Sequence, residues 1–278
     1  MNNIVWLASY PKSGNTWFRL FLSRLLYNKN QKDPLHLGDI PIATSRMVLD
    51  AYAGLELSDF SNDEIQEMRP EIYRHLSDQM TENVYLKIHD LLTRTSTEAW
   101  TISKEATKCI IYFVRNPLDI VASYAHHFNI TIDKSIEYMC DENHTYDAPP
   151  GAITLQVQHK IGSWSEHIER WLMQTEMPIL VVKYEDMVHH TRSTFQEVLD
   201  FIGLDVTPDK FDSALDETNF DKLKDAEKNY GFNEKFAKAK SFFRTGRTGG
   251  WKTELTSNQA DKIIQFHGYM MKKLGYLD

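Results

Sequence analysis

Four short groups of residues could do chemistry by their types and spacing. Lys12, Ser13, Gly14, Asn15 and Thr16 lie between the apolar run 4–8 and an apolar segment that begins at Thr16 and continues to position 27. A lysine, hydroxyls, a glycine allowing close backbone approach and a helix start make an anion cradle, because the first helical N–H groups are free and that helix end is positive. Lys87 and His89 are two apart in NVYLKIH (83–89), so on a strand they share a face, a cation beside a base able to take a proton. Arg115 closes the apolar run 109–114 and Ser123 follows eight residues later. A guanidinium at a strand end can fork onto a phosphate; Asp119 is its alternative partner. Finally, FRTGRTGGWK (243–252) has three glycines and two arginines, which suits a loop closing over an anion and equally a plain turn.

The elements that must position these groups follow from the same pattern. Residues 4–8 read as a buried strand leading through SYPKSGN into a helix, and 83–89 as a second strand. CIIYFV (109–114) is a continuous β-branched and aromatic run, as a central parallel strand requires. Pro117 then opens a helix, PLDIVASYAHHF, at its favoured first position. In residues 62–80 Pro70 is expected to start a second helix. Residues 154–174 place Ile161, Trp164, Ile168, Trp171 and Leu172 at helical spacing and predict one amphipathic helix. ILVVKYEDM (179–187) predicts a further strand ending at Tyr184, TRSTFQEVLDFIG another helix, and 257–274 a terminal helix. Residues 28–41 and 129–151 read as loops on the acceptor side, and the charged and aromatic stretch 221–243 as a solvated, mobile lid. Apolar runs alternating with helices give an α/β fold with a mostly parallel central sheet flanked by helices, and 278 residues favour a single domain, 1–278.

Composition excludes several classes. The formal net charge of −8 argues against a general nucleic-acid surface, so any anion site is local. Two cysteines, Cys109 and Cys140, form neither a disulfide framework nor a zinc pair. His126, His127, Glu142 and His144 match no standard zinc spacing, and no metal is expected. No run reaches the roughly 18 to 20 apolar residues of a membrane helix, and the N-terminus carries no leader pattern. The expectation is a soluble, cytoplasmic protein.

The loop is not a Walker A loop: that motif needs G-x-x-x-x-G-K-[ST], whereas here Lys12 precedes Gly14 and Trp17 follows Thr16. PKSGNTW instead resembles the phosphosulfate loop of the cytosolic-type sulfotransferase family, which uses 3′-phosphoadenosine 5′-phosphosulfate (PAPS) and releases 3′-phosphoadenosine 5′-phosphate (PAP). FVRNPLDIVASY resembles that family's 3′-phosphate motif, with Arg115 and Ser123 in the matching positions. KIHDLL resembles KTHLP, whose His is the catalytic base, with Asp90 and Leu91 where Leu and Pro are usual. GSWSEHIERW, the Tyr184 of YEDM, Thr218-Asn219-Phe220 and the Arg244 loop extend the resemblance over nearly the whole chain, with Thr245 and Gly250 replacing the family's Lys and Asp.

The resemblance implies a P-loop-like strand–loop–helix and in-line transfer of a sulfuryl group to a hydroxyl, or an amine, of a small-molecule acceptor. It implies His89 as general base, with Lys12 and Lys87 assisting. It further implies that residues 13–16 bind the 5′-phosphate, that Arg115, Ser123, Arg244, Thr245 and Gly246 bind the 3′-phosphate, and that Trp17, Tyr184 and Phe220 lie at the adenine. Lys252-x-x-x-Thr256 resembles the family's dimer element, with Ser257 and Asp261 replacing Val and Glu, and raises a homodimer as an expectation. Two rivals remain open, a P-loop-like nucleotide-dependent kinase and a non-catalytic nucleotide-binding module.

Overall fold

A computed structural model describes residues 2–26, 35–37, 40–146, 154–236 and 239–277. In chain order its elements begin with β1 (Ile4–Ser9), α1 (Asn15–Leu26), α2 (Arg46–Ala53), α3 (Asn62–Gln79), β2 (Val84–Ile88) and β3 (Thr107–Val114). Next come α4 (Pro117–Phe128), α5 (Ile132–Cys140), β4 (Thr145–Tyr146), β5 (His159–Lys160), α6 (Trp164–Met173) and β6 (Ile179–Lys183). The chain ends with α7 (Tyr184–His189), α8 (Thr191–Ile202), α9 (Pro208–Glu217), α10 (Phe220–Tyr230), α11 (Trp251–Glu254) and α12 (Ser257–Lys273). These fall into two compact units: residues 1–10, 40–112 and 141–181, and residues 11–39, 113–140 and 182–278.

The first unit carries the central sheet, ordered β2-β1-β3-β6, with β3 and β6 running on into the second unit's sequence. β1 and β2 are parallel, Ile4 opposite Val84 and Ala8 opposite Ile88, so the C-terminal ends of both strands lie side by side. Every residue of β1 is buried, as its unbroken apolar run requires. α3 opens on a capping box, Ser61 with Glu64, and contains Pro70 in its interior. The expected break there does not occur. A proline inside a helix costs about 3 kcal/mol, but the burial of Ile65, Ile72, Tyr73 and Leu76 along one face holds the helix through it.

The helix expected over 154–174 is confined to α6. Gly162 has φ +68° and Ser163 caps the helix by accepting from Glu166 N–H, so the preceding residues are extended. Ile161 is buried from that extended segment, which is why its spacing imitated a helical face.

In the second unit, α4 has Asn116 as its N-cap, accepting from Leu118 N–H, and Pro117 at its first position. Residues 132–140, expected as loop, form α5. The stretch expected as a solvated lid begins with α10, whose Leu223 and Ala226 pack with Leu20, Leu35, Phe232 and Phe243 in one buried cluster. Of the other expected loops, residues 27–34, 38–39 and 147–153 lie outside the described residues.

Candidate active site

The second unit holds the anion loop. Lys12 has φ +70° and Gly14 φ +98°, and left-handed residues in such a turn direct successive N–H groups into a concavity. Gly14 caps α1: its carbonyl accepts from Trp17 N–H at 3.0 Å and Phe18 N–H at 3.4 Å. The N–H groups of Asn15 and Thr16 therefore precede any intrahelical acceptor. A Cβ built on Gly14 would stand 2.7 Å from Tyr184 Cδ2, so only glycine lets the loop lie against that ring. Ser13 is fully buried, and among the described residues neither its Oγ nor Arg115 Nε has a hydrogen-bond partner. Buried donors left unpaired cost free energy. These two fit a phosphate oxygen, the group the loop geometry also suits.

Arg115 does not pair with Asp119. Its guanidinium stacks 4.2 Å over the Tyr184 ring and donates to the carbonyls of Lys12 and Arg247, both at 3.2 Å. The Asp119 carboxylate instead accepts from Gly249 N–H at 2.7 Å and Trp251 N–H at 3.0 Å. Ser123, one turn further along α4, is half-buried on the same helix face as Asp119. Arg244 is ion-paired with Glu254. His126 reports the local charge: burial first, then the charges of Arg244 and Lys12, hold its imidazole below the ordinary value.

Trp17, Tyr184 and Phe220 come together around the same loop. The Trp17 and Tyr184 rings are 6.5 Å apart at 67°, and Trp17 Nε1 donates to Thr218 O at 2.9 Å. Phe220 lies so close under Gly246 (φ +62°) that a Cβ there would stand 2.5 Å from its ring. Thr245 is exposed.

The first unit holds the base. Lys87 and His89 flank Ile88 at the end of β2, Lys87 with its backbone bonded to Pro41 and Ala43. His89 Nδ1 lies 2.8 Å from Ser9 O and 3.2 Å from Ser9 Oγ. A carbonyl only accepts, so the proton is assigned to Nδ1 and Nε2 keeps its lone pair. Behind it, His167 Nε2–H donates to His89 O at 3.0 Å, and Tyr112 O–H donates to His167 Nδ1 at 2.7 Å. Burial pushes His167 down to about 4, which keeps it neutral and fits one donor and one acceptor nitrogen.

Sequence reasoning missed three carboxylates of the second unit. Asp119 was weighed only as a partner for Arg115. Glu227 is buried and accepts from Phe242 N–H at 2.6 Å and Phe243 N–H at 2.9 Å. Glu234 accepts from Thr16 Oγ1 at 3.1 Å and pairs with Arg19 at 2.7 Å. Only their place in a charged run could have flagged the last two. Among the described residues no cluster of three or more His, Cys, Asp or Glu could hold a metal, and no helix is long and apolar enough to cross a membrane.

Comparison with known proteins bears on the family and the fold. Over 97% of its length the chain is 26% identical to 3-beta-hydroxysteroid sulfotransferase of Cavia porcellus, covering 83% of that protein. It is 31% identical to Sulfotransferase 2A6 of Rattus norvegicus, a match that spans 56% of this chain and 55% of the relative. Among solved structures it resembles a mouse sulfotransferase complexed with PAP (TM-score 0.59, 20% identity, 98% of this chain and 85% of that one). It also resembles retinol dehydratase in complex with androsterone and inactive cofactor PAP (TM-score 0.62, 17% identity, 98% and 81%). At those identities the structural likeness shows the fold, a mostly parallel sheet with a P-loop-like phosphate loop. The family model described as "Sulfotransferase domain" matches residues 2–275, and the chain belongs to that family.

Proposed function

We propose that this chain transfers the sulfuryl group of PAPS to a hydroxyl of a small-molecule acceptor, with His89 as general base, and that residues 1–278 act as one sulfotransferase domain. The observation that carries the proposal is the orientation of His89: Nδ1–H is committed to Ser9 O at 2.8 Å, which reserves Nε2 for an acceptor proton. The relatives' names support a hydroxyl rather than an amine acceptor, since they include a hydroxysteroid sulfotransferase and a flavonol 3-sulfotransferase. A cytoplasmic location and a homodimer belong to the same proposal.

When bound, PAPS supplies the sulfuryl group and a phosphate leaving group. The N–H groups of residues 13–16 and Ser13 Oγ hold the 5′-phosphate in a preorganised cradle. Arg115, Ser123 and the backbone of the Arg244-Thr245-Gly246 loop take the 3′-phosphate, and Trp17, Tyr184 and Phe220 take the adenine. The Lys12 ammonium, which lies 4.0 Å over the Phe242 ring, would meet charge on the leaving oxygen. Lys87 serves the sulfuryl oxygens, and His89 Nε2 takes the acceptor proton.

Calorimetric titration with PAP, with and without EDTA and against ATP, tests the donor site. Metal-independent binding of PAP that weakens at least tenfold in Arg115→Ala is expected; preference for ATP with Mg²⁺ would favour a kinase. Turnover of PAPS tests the base. His89→Ala should bind PAP normally and lose about 10²- to 10⁴-fold in kcat, the usual contribution of an oriented general base. Near-normal turnover in that variant would remove His89 from the role.

A further inference from the structure

The residue after the base is an acid, and it is buried. Asp90 is 5% exposed and ion-paired with Arg69 of α3, which is 1% exposed. Arg69 is itself held by its own helix: Nη1 donates to Gln66 Oε1 at 2.9 Å, Nε to Tyr73 OH at 3.0 Å, and Tyr73 OH to Ala43 O at 3.1 Å. The peptide groups around Asp90 are gripped as well. Trp171 Nε1–H donates to Asp90 O at 3.0 Å and His167 Nε2–H to His89 O at 3.0 Å, two rings four apart on one face of α6. Leu91 N–H donates to Lys160 O at 2.8 Å. The chain leaving β2 is thus held by α3 through a side chain, by α6 through two carbonyls, and by β5 through an N–H.

The ion pair is a poor stabiliser as built. It is made through single atoms, and among the described residues the buried Arg69 Nη2 and Asp90 Oδ1 have no hydrogen-bond partner. Two desolvated charges that each leave a polar atom unpaired gain little over apolar residues of the same volume. Their geometric effect is definite, however: they tie the Cα that follows His89 to a rigid helix. We propose that Arg69 and Asp90, with His167, are positioning residues that keep the His89 ring against Ser9 and its Nε2 aimed for proton transfer. This rests on the reading of His89 as the general base.

The test is the double substitution Arg69→Met with Asp90→Leu, which removes both charges together and leaves an apolar pair of similar volume. Its unfolding midpoint should equal or exceed that of the parent, and PAP affinity should stay within about twofold. kcat should fall about 10- to 100-fold, because misplacement by about 1 Å costs on the order of 10². The ¹H–¹⁵N signal of His89 Nδ1–H, read in protein labelled with ¹⁵N-histidine, should give way to a mixture of tautomers. Asp90→Asn keeps an acceptor for Arg69 Nη1 and should retain kcat within about threefold. Parent-like kcat together with an intact Nδ1–H signal in the double variant would overturn the proposal. So would an Asp90→Asn variant as impaired as the double one, since charge rather than position would then matter. A mixed tautomer with unchanged kcat would support the positioning and sink the general-base reading. If the double variant does not fold, Arg69→Lys carries the test: it keeps the charge but gives up Gln66 and Tyr73, and should lower kcat severalfold with a broadened Nδ1–H signal; an unchanged kcat and signal would overturn the proposal.

Discussion

Gly14→Ala separates backbone strain from contact at the anion loop. Gly14 has φ +98°, a region L-residues rarely adopt, and forcing alanine there costs about 1–2 kcal/mol. The added methyl also meets Tyr184 Cδ2 at 2.7 Å and Met187 Sδ at 3.4 Å. The Tyr184 ring is 7% exposed and carries the Arg115 guanidinium 4.2 Å above it, so it cannot move without moving Arg115. Overpacking of this kind adds about 1–3 kcal/mol, giving about 2–5 kcal/mol in all. At about 2–4 °C per kcal/mol for a chain of this size, the unfolding midpoint should fall by about 4–20 °C. Gly249→Ala is the control: φ is +74°, a Cβ there meets nothing within 4 Å, and only the strain of about 1–2 kcal/mol applies. The assay is paired, calorimetric unfolding for stability and titration with PAP for the site. Gly14→Ala should lose at least tenfold in PAP affinity beyond Gly249→Ala. Equal stability losses in the two variants, with PAP affinity unchanged in Gly14→Ala, would refute a loop seated on Tyr184.

Two further outcomes follow from charged groups. Burial holds both His167 and His267 down at about 4, against an ordinary value near 6.5. Between pH 6.5 and 4 the unfolded chain therefore binds protons the folded one refuses, and stability falls as pH drops. From pH 7 to pH 5 the loss should be about 2 kcal/mol per histidine, read from urea midpoints; a flat profile would mean the rings are solvated. Glu234→Gln removes the carboxylate that Thr16 Oγ1 and Arg19 now share, and should tighten PAP binding about tenfold, one charge-assisted hydrogen bond of about 1.5 kcal/mol. Equal or weaker binding in calorimetry would show that Glu234 supports the loop rather than competing for it.

The strand–loop–helix around Lys12 was legible because its determinants are local: an apolar run, a glycine and a helix start lie within one short stretch. Arg115 was legible for the same reason, since a strand end followed by Pro117 fixes where it sits. What escaped depended on distant packing. Pro70 reads as a break, yet α3 runs through it because its apolar face is buried. Ile161 has the right interval from Trp164 for a helix, but it is buried from an extended segment ending at Gly162. Charges in 221–243 suggested solvent, whereas Leu223, Phe232 and Phe243 lie in one cluster and Glu227 binds backbone N–H groups. Asp90 was visible only as a departure from a motif, because its partner Arg69 is 21 residues away on another element.

A chain with net charge −8 can hold a nucleotide bearing two anionic phosphates only if its cations are gathered and kept ready. Four cations of the second unit have interim partners among the described residues. Lys12 rests on the Phe242 ring, Arg115 on the Tyr184 ring and two carbonyls, Arg19 on Glu234 and Arg244 on Glu254. Rings and carbonyls are weak competitors, so Arg115 would give up little to a phosphate in the proposed site. Carboxylates are strong ones, so engaging Arg19 or Arg244 would require breaking an ion pair first. In the proposed site, Arg115 would therefore be engaged at a lower cost than Arg19 or Arg244. If PAP engages those two arginines, part of its intrinsic affinity would go into exchanging their carboxylate partners. On that assignment the exposed Thr245, in place of a lysine, should matter less than the buried Arg115.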